Sequence, residues 1–284
     1  MIPAAFDYHR PKALGDAIAL LQEHGDDARV MAGGHSLIPM MKLRMAEIPH
    51  LIDLQDVVEL NGIEVGPDVI RIGAMTSQAE IIDHADLAIA APILREAALQ
   101  IADPQVRYMG TIGGNVANGD PGNDLPGLMQ CLDASFFLAG PSGERSVAAR
   151  AFYEAAYMTA RDDEEVLTAI TIPKPRGGYA YEKQKRKIGD YATAAAAVQI
   201  ENEGGMCRAA AIAMTNLSDT PVYSANACAA LTGTRVDLAA VKAAVTAMLA
   251  DIDPTEDNRG PVAFKKHLAG IILTRAIERA WSRA

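Results

Sequence analysis

Two glycine-rich segments contain the residues of this chain that are best suited to bind a charged ligand. The first is Ala32-Gly33-Gly34-His35-Ser36-Leu37 and the second is Thr111-Ile112-Gly113-Gly114-Asn115. Adjacent glycines permit positive φ angles and lack the Cβ atoms that would keep a ligand away from the backbone. Successive N–H groups can then converge on an anion. Two such segments in one chain predict a diphosphate that is held from both sides.

Neither segment matches the common nucleotide-binding motifs. Both lack the Gly-x-Gly-x-x-Gly pattern and no Walker lysine follows either, which disfavours the ordinary dinucleotide and nucleoside triphosphate folds. A single Gly-Gly pair is more often only a tight turn, so the prediction depends on the two segments together. Ser36 is predicted to cap a helix that starts beside the first segment. His35 is interpreted as a loop residue that contributes its N–H, with a catalytic imidazole as the less favoured alternative.

The acidic and basic candidates are less specific. Asp124 stands at the start of a predicted helix, where its carboxylate is equally consistent with a helix cap and with a partner for a ribose hydroxyl. A basic cluster around Lys183 is typical of a solvated surface, although it is flanked by three tyrosines in a chain that is poor in aromatics. Three arginines near the C-terminus repeat every four residues and are interpreted as solvated helix surface; they are Arg275, Arg279 and Arg283.

The composition excludes several classes of protein. A formal net charge of -10 argues against duplex nucleic acid or a membrane surface as a partner, since both require a basic face. There is no apolar signal core and no long apolar run, which predicts a cytoplasmic protein. The three cysteines are isolated, so no iron–sulfur cluster is predicted within this chain. The six histidines are scattered without paired spacing, and no metal site is predicted.

The pattern of predicted elements indicates an α+β protein. Helices and strands alternate without strict βαβ regularity: a helix opens at Pro11 and stops at Gly25, a strand enters the first glycine segment, and a hairpin occupies residues 62–74. A proline- and glycine-rich stretch at 173–178 is a natural hinge. After it, strands at 192–200 and 206–214 and two helices predict a second domain. The expected division is 1–176, with lobes of about 1–55 and 56–176, followed by 177–284.

With these segments in view, the sequence resembles the FAD-binding medium subunits of the molybdenum hydroxylases. The resemblance rests on both glycine segments, on Ile101-Ala102-Asp103-Pro104, on the turn-rich stretch from Asn118 to Asp124, and on residues 183–194. It covers essentially the whole chain and is greatest to the carbon monoxide dehydrogenase branch of that family. The fold it implies is a two-lobed FAD-binding domain of the vanillyl-alcohol-oxidase type, followed by a small domain of sheet and helices.

The resemblance also implies which residues bind FAD. The first segment, from Val30 to Leu37, and the second, from Thr111 to Asn115, would cradle the diphosphate. Asp124 would hold a ribose hydroxyl, and Leu167 would pack near the nucleotide half. Ile101 and Ala102 would line the cleft, while Lys183 and Tyr191 would approach the flavin ring from the second domain. No residue of this chain is given a catalytic role.

The family's function implies partners. This chain would take electrons from a small [2Fe-2S] subunit, which a large molybdenum-cofactor subunit supplies, within a dimer of heterotrimers, and would pass them to an external acceptor. One alternative keeps the fold but makes the protein a stand-alone reductase of the UDP-N-acetylenolpyruvoylglucosamine reductase type. A second alternative treats both glycine segments as structural turns in a protein without enzymatic activity.

Overall fold

A small parallel sheet at the start of the chain carries the first glycine segment. Its elements are β1 (Asp7–His9), α1 (Leu14–His24), β2 (Ala28–Met31), α2 (Leu37–Lys42) and β3 (His50–Asp53). In the computed structural model, which describes all 284 residues, β3 lies between β1 and β2 and is parallel to both. Helix α1 covers this sheet by burying Ala17 and Leu21 in the same cluster as Ile52. The first glycine segment leaves the sheet at the carboxyl end of β2.

A five-stranded antiparallel sheet with an insertion of six helices forms the next part of the chain. Its elements are β4 (Ile63–Val65), β5 (Val69–Gly73), α3 (Gln78–Asp83), α4 (Ala85–Ala90), α5 (Pro92–Ala98), α6 (Pro104–Met109), α7 (Ile112–Ala117), α8 (Asp124–Cys131), β6 (Ser135–Gly140), β7 (Gly143–Ala148), β8 (Tyr153–Ala155), β9 (Met158–Thr159) and β10 (Val166–Pro173). The strand order is β4-β5-β10-β6-β7, and β8 pairs with β9 separately. Short 3₁₀ turns lie at Gly25–Asp27, Val58–Leu60 and Ala149–Ala151.

The last part is a four-stranded antiparallel sheet with three helices. Its elements are β11 (Gly178–Gln184), β12 (Ala194–Glu203), β13 (Met206–Thr215), β14 (Val222–Tyr223), α9 (Ala225–Leu231), α10 (Leu238–Asp251) and α11 (Val262–Trp281). Alternate residues of β12 face opposite ways. Ala195 and Ala197 join the core formed by the preceding sheet, whereas Ala196 and Val198 join the core under the helices. Burial of both faces explains why this strand reads as a continuous apolar run.

Most predicted elements are present, and the α+β class is confirmed. Helix α1 starts at Leu14 rather than Pro11, because the chain is still extended at Ala13, and a Glu59 carboxylate oxygen accepts from the Leu14 N–H at 2.5 Å. Ser36 precedes α2, but its side chain makes no capping hydrogen bond. The prediction of a loop at the second glycine segment is wrong, since Ile112 to Ala117 form a helix.

Candidate functional site

A cleft of about 770 Å³ lies where the three sheets approach one another. This volume falls within the range of small-molecule sites in proteins. Both glycine segments line it, and so do residues of the last domain. Nearly all of the candidates from the sequence face this one cleft; they are Val30, Ala32, Gly33, Gly34, His35, Ser36, Leu37, Ile101, Ala102, Thr111, Gly113, Gly114, Asn115, Asp124, Leu167, Lys183 and Tyr191. Ile112 is the exception, because its side chain is fully buried in the apolar core behind the cleft.

The first glycine segment supplies backbone donors that the protein itself does not use. The N–H groups from Gly33 to Ser36 donate to no acceptor within the chain. The backbone turns sharply here, with φ of 71° at Gly34, a conformation that favours glycine. Consecutive free N–H groups in such a turn form a concave site for an anion. This segment can therefore bind a phosphate without disturbing any existing hydrogen bond.

The second glycine segment works differently, because its N–H groups from Ile112 to Asn115 are already satisfied. Ile112 and Gly113 donate to the carbonyls of Thr76 and Ala74 at 2.9 and 2.8 Å, and Gly114 donates to Thr111 Oγ1 at 3.0 Å. What this segment offers is a close backbone surface and one side chain: Asn115 Oδ1 is buried without a hydrogen-bond partner. We expected amides of both segments to cradle a diphosphate. In this structure, the run of free amides that could do so lies in the first segment.

The two segments lie directly against each other. A Cβ atom placed on Gly33 would come within 2.0 Å of the Met109 carbonyl oxygen and 2.9 Å of Gly110 Cα, just before the second segment. A Cβ atom on Gly114 would lie 3.3 Å from the Ala32 Cβ. Glycine is therefore required at position 33 by the approach of neighbouring backbone. The prediction that two distant stretches of sequence form one binding surface is supported by this contact.

Asp124 is a buried carboxylate in the cleft, and two side chains of the last domain donate hydrogen bonds to it. Its side chain is buried at the first turn of α8, where Oδ2 accepts from Lys183 Nζ at 2.8 Å and Oδ1 accepts from the Tyr181 hydroxyl at 2.5 Å. Burial raises the pKa of the Asp124 carboxyl, while the ammonium and the hydroxyl that donate to it oppose that rise. Burial, together with the neighbouring carboxylate, raises the pKa of Tyr181 well above its usual range. Each carboxylate oxygen keeps capacity for a further donor.

Lys183 is not on the solvated basic face that its sequence neighbours predict. Only 1% of its side chain is exposed, and Nζ also donates to the Gln100 carbonyl at 3.1 Å. Lys185 approaches the same residue, donating to Gln100 Oε1 at 2.8 Å. The two lysines therefore hold the end of α5 against β11. The sequence could not indicate this, because Gln100 and Asp124 are more than fifty positions away.

The Ile101-Ala102 turn is held in an uncommon backbone conformation at the cleft wall. Ala102 has φ of 40°, a region that residues with a Cβ rarely adopt. Arg107 stabilises the turn by donating from Nη1 to the Ile101 carbonyl at 2.8 Å. Strained backbone of this kind tends to occur at binding sites. Tyr191 lies opposite in the last domain, and its ring packs against Gly122, where an added Cβ would lie 3.0 Å from Tyr191 Cδ1.

Several residues of the cleft were not identified from the sequence. They include two arginines, Arg29 and Arg161, and the polar side chain of Gln78, whereas Asn118 and Asn123, which also line the cleft, belong to the turn-rich stretch that the sequence analysis singles out. Arg29 lies on β2, the strand that leads into the first glycine segment, so its closeness in sequence to that segment could have identified it. Arg161 comes from a loop far along the chain, and no local pattern connects it to the site. Both arginines can add positive charge near a bound anion.

No helix in this structure is both long enough and apolar enough to span a membrane.

Comparison with known proteins gives matches along the whole chain. Residues 4–175 match the family described as the FAD binding domain in molybdopterin dehydrogenase, and residues 179–280 match the CO dehydrogenase flavoprotein C-terminal domain. The chain is 56% identical to the carbon monoxide dehydrogenase medium chain of Afipia carboxidovorans, over 100% of this chain and 99% of that one. It is 45% identical to the medium chain of Hydrogenophaga pseudoflava, with the same coverage.

The solved structures agree with the sequence comparison. The reconstituted CO dehydrogenase from Oligotropha carboxidovorans contains a chain that superposes on this one with a TM-score of 0.98, at 56% identity and full coverage of both chains. These comparisons give no support to the alternative of a stand-alone reductase of the UDP-N-acetylenolpyruvoylglucosamine reductase type.

Proposed function

This chain belongs to the FAD-binding family of the molybdopterin dehydrogenases, and on that premise we propose that it is the flavin-carrying medium chain of a carbon monoxide dehydrogenase. The observation that carries the proposal is the shared cleft, in which a glycine segment that follows β2 meets a second one in α7, beside the last domain. The end-to-end similarity to two carbon monoxide dehydrogenase medium chains selects the branch of the family. The chain is thus an FAD-dependent oxidoreductase subunit.

The residues of the cleft fit FAD. The unused N–H groups of Gly33 to Ser36 suit the diphosphate, and the buried, unpartnered Asn115 Oδ1 suits a hydroxyl or ring N–H of the cofactor. The missing Cβ atoms at Gly33 and Gly114 let the two segments pack closely around it. A bound flavin accepts electrons singly or in pairs and returns them to an acceptor. The protein's part is to hold and orient that group and to exclude water from it.

The ion pair between Asp124 and Lys183 refines the roles expected for these residues. Because their charged atoms are 2.8 Å apart, they must serve the same part of the cofactor. A ribose hydroxyl and the flavin ring lie at opposite ends of FAD, so one pair cannot serve both. We assign the pair to the flavin half, where Asp124 accepts from a hydroxyl of the chain that joins the ring to the diphosphate. Tyr191 and the Ile101-Ala102 turn line the same half, and Leu167 lines the nucleotide half.

The electrons must enter from a partner. Cys131, Cys207 and Cys228 are all buried in the apolar cores, where burial raises the pKa of each thiol and disfavours the thiolate that a cluster needs. We therefore propose a small [2Fe-2S] subunit as the donor and a large molybdenum-cofactor subunit as the site of carbon monoxide oxidation, in a dimer of heterotrimers. We also propose that the flavin domain ends at residue 176 and that the second domain occupies 177–284.

The proposal is tested on the chain produced together with its two partner subunits. We expect the wild-type complex to contain one FAD per medium chain and to lose its oxidised flavin absorbance under carbon monoxide without an added acceptor. The variant Gly33→Ala should lose most of its flavin, because the new Cβ collides with the Met109 carbonyl. Gly15→Ala is the matched control, since a Cβ at this position in α1 meets nothing within 4 Å.

The two outcomes test different statements. Full flavin content in Gly33→Ala would contradict the assignment of the cofactor site. A wild-type complex that keeps its flavin but is not reduced by carbon monoxide would contradict the substrate, while leaving the site in place.

A further inference from the structure

Three histidines that are far apart in sequence converge where the end of α1 meets the first sheet. His9 ends β1, His24 ends α1 and His50 begins β3. One potential ligand atom from each side chain lies within 4.8 Å of the other two. His9 Nε2 and His50 Nδ1 are 3.1 Å apart, and the His24 ring stacks on the His50 ring with centroids 3.7 Å apart. Spacing along the chain does not indicate this cluster, because each histidine comes from a different element.

One of the separations in the cluster is close to the one that a small metal ion requires. Imidazole nitrogens bind Zn²⁺ at about 2.0–2.1 Å, so two ligands of a tetrahedral ion lie roughly 3.4 Å apart. The His9–His50 pair is already near this distance. The stacked rings of His24 and His50 are almost parallel, at 6°, so the His24 ring must turn about its side-chain bonds to direct a nitrogen at the same ion. All three side chains are half-buried, so solvent and a dissolved ion can reach them.

A purely structural role explains less of the arrangement. His24 alone would be a favourable cation at the C-terminus of α1. However, two further imidazoles beside it gain nothing from that dipole, and when protonated they would repel one another. In neutral imidazoles, one nitrogen of the His9 Nε2–His50 Nδ1 hydrogen bond carries its proton. When that proton sits on the other nitrogen of the ring, both atoms present lone pairs to the space between them, and imidazole nitrogen is a ligand that suits Zn²⁺, Cu²⁺ and Ni²⁺ better than oxygen-binding ions such as Mg²⁺. Asp7, whose Oδ2 lies 3.9 Å from His50 Nδ1, is available as a fourth ligand.

We propose that His9, His24 and His50 form a binding site for one transition-metal ion of the Zn²⁺ type. An ion bound there would tie β1, α1 and β3 together. His50 pairs with Ala28, at the start of β2, whereas His9 pairs with Ile52 near the other end of β3. None of the three histidines lines the cofactor cleft, so the metal site is separate from the flavin site and from carbon monoxide oxidation.

The test is a calorimetric titration of the full, flavin-loaded chain with ZnCl₂ after treatment with a chelator. We expect one ion per chain. His24→Gln should weaken binding at least about ten-fold, because even the loss of an outer hydrogen-bond partner of a ligand has an effect of that size. At equal concentration, Zn²⁺ should raise the thermal unfolding midpoint of the wild type by more than that of His24→Gln. His267→Gln, an exposed histidine on α11, is the matched control and should bind like the wild type.

Co²⁺ provides an independent readout of geometry. When Co²⁺ replaces Zn²⁺, a site with three imidazoles should give the visible absorption of a four-coordinate ion, and His9→Gln should abolish it. His9→Gln also keeps the test valid if His24→Gln fails to fold. Equal Zn²⁺ affinity in the wild type and in both variants, or no binding to the wild type, would overturn the proposal.

Discussion

The ion pair between Asp124 and Lys183 gives the sharpest quantitative prediction. It joins the first turn of α8 to β11 of the second domain, and the exposed fractions of the two side chains are 5% and 1%. The perturbations are Asp124→Asn, Lys183→Met and the double variant. Each single change leaves one buried partner behind, whereas the double change removes both charges. Asn and Met keep nearly the same side-chain volumes, so the effect of charge is separated from the effect of packing.

The magnitude follows from the distance. Two unit charges 2.8 Å apart attract by about 6 kcal/mol at an effective dielectric of 20, before the unfavourable desolvation of both groups is subtracted. Breaking a buried pair by removing one member typically destabilises a protein by about 3–5 kcal/mol, while removing both is often nearly neutral. We therefore expect each single variant to lose about 3 kcal/mol and the double variant to lose much less than the sum.

The pH dependence of Lys183→Met has a definite sign. Without the ammonium, burial raises the pKa of Asp124 in the folded state with less opposition than in the wild type. The protonated carboxyl then contributes stability at pH values below its unfolded pKa, and this stability is lost as the pH rises through the folded pKa. The difference in stability between wild type and Lys183→Met should accordingly be larger at pH 8 than at pH 5.

The assay is urea unfolding of the flavin-loaded chain, followed by tryptophan and flavin fluorescence, with the slopes compared to exclude a change of denatured state. Asp124→Asn and Lys183→Met are measured beside the double variant in one cycle. A coupling energy below about 1 kcal/mol, the value for exposed pairs, would refute the reasoning. So would a destabilisation by Lys183→Met that grows as the pH is lowered.

Three further predictions follow from named contacts. Arg279→Ala should destabilise the chain by about 2 kcal/mol in urea unfolding, because this arginine is paired with carboxylates of both α5 and β11. Arg275→Ala is the control: this arginine is four residues earlier on the same helix and has no ion pair, so its loss should change the stability little. Glu165→Gln should cost about 1 kcal/mol of stability near neutral pH, since Arg145 lowers the pKa of Glu165. This contribution is present above the ordinary pKa of the carboxyl and is lost as the pH falls through the lowered pKa of the folded state. Unfolding measured at decreasing pH should therefore show the stabilities of wild type and variant converging. Asp124→Asn should raise the flavin midpoint potential in a spectroelectrochemical titration, because the Lys183 charge is then no longer neutralised, and an unchanged or lower potential would argue against placing the pair beside the ring.

The arginines near the C-terminus show where reasoning from sequence fails. Their spacing places Arg275, Arg279 and Arg283 on one helix face, which led to the prediction of a solvated surface. That prediction is wrong for Arg279, which is partly buried and pairs with Glu96 of α5. Arg283 is exposed as predicted, although it lies beyond the end of α11 and also pairs with Glu96. Periodicity identifies which residues share a face, but it cannot tell what that face meets, because the partner is almost two hundred positions away.

The residues that line the cofactor cleft could be predicted from the sequence better than the hydrogen bonds they make. Local composition was sufficient to find both glycine segments, since glycine is required wherever backbones approach as closely as they do at Gly33. The same composition could not distinguish a loop with free amides from a helix whose amides are satisfied. Thr111 caps α7 because its side chain accepts a hydrogen bond from the Gly114 N–H. That N–H is therefore not available to a bound phosphate, unlike the N–H groups of the first segment. Ile112 was predicted to be a site residue because it stands between residues of the second glycine segment, but its side chain packs in the apolar core.

The position of the second domain decides how complete the cleft is. Its sheet packs so closely on α8 that a Cβ on Gly127 would lie 2.2 Å from Thr215 Oγ1, and Lys183 and Tyr181 then reach Asp124 from the same sheet. The apolar contact brings the domains together, and the buried polar group fixes their register, because a shifted sheet would leave Asp124 without donors in an apolar surrounding. The flavin half of the site therefore depends on folding of residues far from either glycine segment. Loss of flavin in a variant of the second domain would report on this alignment rather than on any direct contact with the diphosphate.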